Sequence, residues 1–114
     1  MPNTLDWKSS DDPRDIVHLI VQALVEGRIV ALPAETAYHA FASGLKGAAV
    51  EQLLGLDCIR RDCAPTLFLR SSIEAMDYAP ELSRVAARMV NRGWPGPLIL
   101  ELPSDAGRSL VNCL

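Results

Sequence analysis

Ile29-Val30-Ala31-Leu32 is a short apolar run closed off by Gly27 on one side and Pro33 on the other, and it restricts the fold more than any other stretch. Two of its residues are β-branched, so Arg28 to Leu32 reads as a buried strand rather than a half-exposed one. Pro33 has no N–H to offer a ladder, so pairing is expected to stop there. Glu35, Thr36 and Tyr38 then lie just beyond a strand end, where open α/β sheets usually hold their ligands.

The residues around this strand alternate between helical and extended patterns. Asp12-Pro13 is a helix start, Asp as the cap and Pro at the first helical position. Ile16, Val17, Ile20, Val21 and Leu24 mark one apolar side, and Gly27 supplies the stop. His18 in this helix reads as a surface or packed histidine. After Pro33 a second extended run is expected from about Thr36 to Ala42, broken by Ser43-Gly44. Residues 47 to 56 read as a short helix that Gly55 weakens or ends.

Residues 57 to 64 read as a polar loop closed by Pro65, and Thr66 to Leu69 is the next expected strand. Ser71-Ser72-Ile73-Glu74 matches a capping box and opens a short helix. Pro80 fits the start of another, whose apolar stripe is Leu82, Val85, Ala86, Met89 and Val90. Gly93 ends it, Trp94-Pro95-Gly96-Pro97 makes a rigid corner, and Leu98 to Leu102 is a last strand cut off by Pro103. Helices and strands in this alternation give the α/β class with a mixed sheet.

Composition bounds the rest. A chain of 114 residues fits one domain with a modest core, and 49% apolar with 22% charged residues is ordinary for a globular protein. A net charge of −3 implies no general attraction to nucleic acid or anionic membranes, although Arg60, Arg61 and Arg70 fall close together. The apolar runs are too short to span a bilayer, and the first residues contain no apolar signal core. Cys58, Cys63 and Cys113 are an odd count without disulfide-framework spacing, which points to a reducing cytoplasm. Cys58-x4-Cys63 with two distant histidines is a poor zinc pattern, so no metal site is expected.

Pro33-Ala34-Glu35-Thr36-Ala37-Tyr38 resembles the Pro-Thr-Glu-Thr-x-Tyr-Gly signature of the YrdC-like family, the threonylcarbamoyl-adenylate synthases of tRNA modification. Two further matches follow in the family's order: Arg60 ahead of Pro65, and Trp94-Pro95-Gly96-Pro97-Leu98. The likeness covers residues 13 to 103, after a flexible lead-in of residues 1 to 12 and before a tail of residues 104 to 114. It implies an open twisted mixed sheet with flanking helices, present here only as the first half of the family domain. An Arg-x-Pro strand and a Ser-x-Asn segment that complete the family's site are not found before Leu114.

The resemblance implies a nucleotidyltransferase that condenses L-threonine, bicarbonate and ATP with Mg²⁺ into threonylcarbamoyl-adenylate for an adenosine of tRNA. Such chemistry rests on positioning and on neutralising phosphate charge. Thr36 matches the threonine that helps hold the substrate amino acid, with Tyr38 lining the pocket. Arg60 matches a phosphate contact, with Arg61 beside it. Glu35, Pro33 and the corner from Trp94 to Pro97 carry the motif's architecture. Four positions depart from the pattern: Ala34 for Thr, His39 for Gly, Cys58 for Lys and Leu69 for His.

Cys58 supplies no fixed positive charge, and a side chain at 39 crowds a place where backbone and ligand approach. The expectation is therefore a catalytically impaired synthase-like domain with no residue assigned as catalytic. The alternative is a non-catalytic remnant that binds a nucleotide, RNA or a protein partner. Expected partners are the three substrates, tRNA or double-stranded RNA, and a second copy or a separate second-half chain that covers the exposed sheet.

Overall fold

Asp12 begins the first helix by local chemistry alone. In the computed structural model, which describes residues 3–56 and 65–102, α1 spans Pro13–Val25 with Asp12 as its cap. The Asp12 carboxylate accepts the Arg14 backbone N–H at 2.9 Å and the Arg14 Nε–H at 3.0 and 3.1 Å. Those bonds, the side-chain one foremost, hold its carboxyl below the usual carboxylate range.

At the far end the Gly27 N–H donates to the Leu24 carbonyl and the Arg28 N–H to the Ala23 carbonyl. This double closure is the Schellman arrangement, and it puts Gly27 at a φ of 79°. Glycine enters that region without a Cβ penalty, so the chain turns directly from α1 into a strand.

Val30–Pro33 (β1) pairs antiparallel with Tyr38–Phe41 (β2), with Val30 opposite Phe41 and Pro33 opposite Tyr38. Two sequence expectations are corrected here. The strand alternates between half-buried and exposed residues instead of being buried throughout, because it carries one layer of cover rather than two. Pairing also includes Pro33. The Ala34 N–H donates to the Ala37 carbonyl at 2.8 Å, which makes 34/37 the hydrogen-bonded pair. Antiparallel pairs alternate, so 33/38 falls on a non-hydrogen-bonded site that asks for no N–H. The second extended run starts at Tyr38 and not Thr36, since Glu35 and Thr36 are spent on reversing the chain.

Gly47–Leu54 (α2), Ala75–Tyr78 (α3) and Arg84–Gly93 (α4) follow. Helices around a small sheet are the α/β class expected, and the sheet among the described residues is the β1–β2 hairpin. Residues 65–69 and 98–102 keep the period-two burial of strands but pair with no described neighbour. A strand is defined by its ladder, and alternation alone does not make one.

Two helix starts move. Ser71 makes no cap; Glu74 instead accepts the Arg70 N–H at 2.9 Å, and α3 begins after it. Pro80 lies in a turn, and the Ser83 hydroxyl accepts the Ala86 N–H at 3.1 Å to start α4.

Ala49, Val50, Ala75 and Val90 are the fully buried apolar residues among those described. A Cβ placed on Gly27 would stand 4.0 Å from that of Ala49, so α2 lies against the α1–β1 turn. In α1 Ile16, Ile20 and Leu24 are half-buried, while Val17 and Val21 of the expected stripe are exposed with Val25. The inner column is the one a single layer can cover. Likewise Val90 and Ala86 of α4 face inward, and Val85 and Met89 do not.

After α4 the Trp94 N–H donates to the Val90 carbonyl at 3.0 Å, and the indole Nε1–H donates to the Leu98 carbonyl at 2.7 Å. Gly96 passes so close to the helix end that a Cβ there would stand 2.5 Å from the Gly93 oxygen.

Gly96→Ala should therefore destabilise the protein by about 1–3 kcal/mol through overpacking against backbone. Gly27→Ala should also cost about 1–2 kcal/mol, because of its left-handed φ. Gly47→Ala, at a helical position with open space around it, should be neutral or slightly stabilising. Thermal melts of the three variants check the order, and equal melting temperatures would refute the corner and turn geometry.

Asp12 carries a pH signature. A depressed carboxyl adds stability that is present above the unfolded-state pKa and is lost as pH falls through the folded one. Asp12→Asn keeps a cap acceptor without a charge, so its melting temperature should fall less on acidification below about pH 4 than the parent's.

Candidate functional site

The polar signature residues gather at the tip of the β1–β2 hairpin. Glu35 and Thr36 occupy the reversal itself and are exposed, held by the Ala34–Ala37 bond below them. A carboxylate and a hydroxyl on one tip offer an acceptor for a ligand ammonium and a group that both donates and accepts. That combination suits the polar end of an amino acid.

Register decides which side chains share a face. Ala31, Pro33, Tyr38 and Ala40 lie on one side of the hairpin, and Val30, Leu32, His39 and Phe41 on the other. Tyr38 is 78% exposed, standing over small neighbours instead of entering the core. Its phenol is thus open to solvent next to the hairpin tip.

The opposite face carries a cluster that sequence reasoning missed. The Phe41 and Phe68 rings meet edge to face with centroids 4.8 Å apart. The His39 imidazole lies 6.2 Å from Phe41 and 6.1 Å from Phe68. Such offset and edge contacts suit aromatic quadrupoles. His39 therefore projects away from Tyr38, so the residue in place of the signature glycine does not fill the Tyr38 face. The available signal was the i, i+2 spacing of His39 and Phe41; Phe68 could join them only through the fold. Leu69, next to Phe68, is half-buried.

Cys58, Arg60, Arg61 and Cys63 lie outside the described residues. The indole bond from Trp94 to the Leu98 carbonyl spans the corner from Trp94 to Pro97, and the Trp94 backbone N–H ties that corner to the end of α4. Beside it is a shallow groove of about 400 Å³ lined by Val85, Arg88, Met89, Arg92, Gly93 and Leu98. Among the described residues no three His, Cys, Asp or Glu side chains come together as metal ligands, and no helix is long and apolar enough to cross a membrane.

The Sua5/YciO/YrdC family, described as telomere recombination, matches residues 22–113. A threonylcarbamoyl-AMP synthase of Methylococcus capsulatus is 33% identical over 92 residues, covering 80% of this chain and 49% of the relative. A threonylcarbamoyl-AMP synthase of Pyrococcus abyssi is 35% identical over 81 residues, covering 70% of this chain and 24% of the relative. The chain thus spans half or less of the length of these relatives. No solved structure matches it significantly.

The Phe41–Phe68 contact ties residues 65–69 to the hairpin, and a double-mutant cycle measures it. Phe41→Leu and Phe68→Leu should show a coupling of about 0.5–1.5 kcal/mol in denaturant unfolding. Strict additivity would remove the aromatic cluster from the account of the site.

Proposed function

The chain belongs to the Sua5/YciO/YrdC family, and we propose that its hairpin tip is the amino-acid-holding part of a threonylcarbamoyl-AMP synthase site. The observation that supports this is the Pro33–Tyr38 signature folded as a tight hairpin, with Thr36 and Tyr38 both exposed at or next to its tip. The substrates are L-threonine, bicarbonate and the magnesium complex of ATP. The threonine nitrogen gains a carboxyl carbon from bicarbonate with loss of water. A carbamate oxygen then bonds to the α-phosphorus of ATP, and the bond to pyrophosphate breaks.

In this reading the Thr36 hydroxyl binds the substrate threonine and Tyr38 walls the pocket. Arg60 meets the nucleotide phosphates, with Arg61 adjacent in sequence. Magnesium arrives on the nucleotide. The product would serve tRNA modification in the cytoplasm, with the exposed apolar side chains covered by a second copy or another chain. Ala34, His39, Cys58 and Leu69 depart from the family pattern. Cys58 in particular leaves one phosphate-facing positive charge fewer. We therefore assign this chain, tested by itself, substrate binding without turnover.

Purified protein with MgATP, bicarbonate and threonine should release no pyrophosphate above background. Release that needs all three substrates would overturn the impairment and establish the synthase. Binding is checked by calorimetry. Thr36→Val should weaken threonine binding up to about tenfold, the value of one neutral hydrogen bond. Arg60→Ala should weaken MgATP binding about tenfold or more, and Arg61→Ala much less, since a solvated arginine contributes little. Absence of heat from both ligands in the parent would reject the site.

A further inference from the structure

α4 turns two adjacent columns to solvent. Arg84, Arg88 and Arg92 are exposed and fall within an arc of about 80°, a ridge about 12 Å long. Val85 and Met89, one residue after Arg84 and Arg88, are exposed as well and form an apolar strip between that ridge and the buried Val90 face. Gly93 takes the next place in the strip, and the Leu98 side chain packs where a Cβ on Gly93 would stand. Leu98 thereby completes the strip. Val85, Met89, Gly93 and Leu98 line one shallow groove together with Arg88 and Arg92.

The helix's own stability explains neither column. Like charges four residues apart repel one another. Arg84 stands at the first helical position, where the helix dipole favours an acid, and the first turn has none. The ion pairs among the described residues are Arg14–Asp12, Arg28–Glu26 and Arg70–Glu74, and none involves the ridge. Val85 and Met89 gain no burial from the chain's own fold. A partner that relieves both columns carries negative charge and apolar groups side by side, repeating once per helical turn.

We propose that this face of α4 docks an acidic amphipathic helix of another protein, its carboxylates on the arginine ridge and its apolar anchors in the strip of Val85, Met89 and Leu98. Helix-in-groove recognition uses anchors at this i, i+4 spacing, and the flanking charges set partner and orientation. Arginine suits the role because its fork binds a carboxylate through two parallel hydrogen bonds. A phosphate backbone would engage the ridge alone and leave the apolar strip in water. A lipid surface needs a broader apolar face than two side chains and Leu98 provide. The net charge of −3 keeps the attraction for an acidic partner local to α4. The inference is separate from the hairpin tip and does not rest on the synthase reading.

The test is fluorescence anisotropy of a labelled synthetic peptide titrated with the full chain. The probe is an alanine-based helix of about 16 residues, with glutamate at every fourth position and leucine after each glutamate. Its control is an isomer of the same composition whose glutamates and leucines are scattered around the helix. The patterned peptide should bind saturably and at least about fivefold more tightly than the isomer, since only aligned columns meet both ridge and strip. R88Q/R92Q should weaken binding about tenfold or more through lost charge-assisted contacts. V85S/M89S should weaken it about fivefold, because less apolar area leaves water. R14Q, which removes an arginine already paired with Asp12, should change nothing. All these positions are exposed, and circular dichroism melts check that the variants fold. If the arginine variant does not fold, V85S/M89S and the isomer decide. Equal affinity for the two peptides, unchanged binding in V85S/M89S or no binding by the parent would overturn the proposal. So would RNA or phosphatidylserine vesicles that bind more tightly than the peptide and respond to R88Q/R92Q but not to V85S/M89S. Self-association of the parent in light scattering that both variants abolish would assign the face to a second copy instead. Pyrophosphate assays do not enter these outcomes, so the two readings fail separately.

Discussion

The turn at Gly27 is the constraint on which the other elements depend. Two hydrogen bonds close the end of α1 over it, Gly27 to Leu24 and Arg28 to Ala23, and a φ of 79° redirects the chain into β1. With a right-handed φ at that point the helix would continue, and the apolar run would leave on a different heading. α2 packs against the same turn through Ala49, so one residue's backbone geometry organises helix, hairpin and the small core between them.

The hairpin converts that heading into the tip where the site is proposed. Its reversal places a carboxylate and a hydroxyl at one tip, and its register separates Tyr38 from His39 onto opposite faces. The Tyr38 face is open to solvent. The aromatic face binds the chain's own residue 68, which fixes the hairpin from behind.

Cover is thin across the described fold. Four apolar residues are fully buried, while valines in α1, Ile73, Met76, Val85 and Ile99 remain exposed. Each helix turns one column inward and leaves the adjacent column to solvent. α4 adds charge to that exposed side, which sets its character apart from the apolar column of α1.

Short-range chemistry was legible in the sequence by itself. The Asp12 cap, the Gly27 stop, the start of α2 with its stop at Gly55, and the proline–glycine corner all follow from residues within a few positions of each other, because caps and turns are closed by near neighbours. The signature segment was legible as lying just past the first strand, although not that Glu35 and Thr36 would be the reversal itself. Tertiary structure decided what depends on distant partners. It selected Ile16, Ile20 and Leu24 over Val17 and Val21 as the inner column, admitted Pro33 to a pairing site that needs no N–H, and left residues 65–69 without a described ladder. It also brought Phe68 onto Phe41 and His39. Periodicity states which residues share a face, but burial and strand pairing exist only once another element supplies the opposing surface.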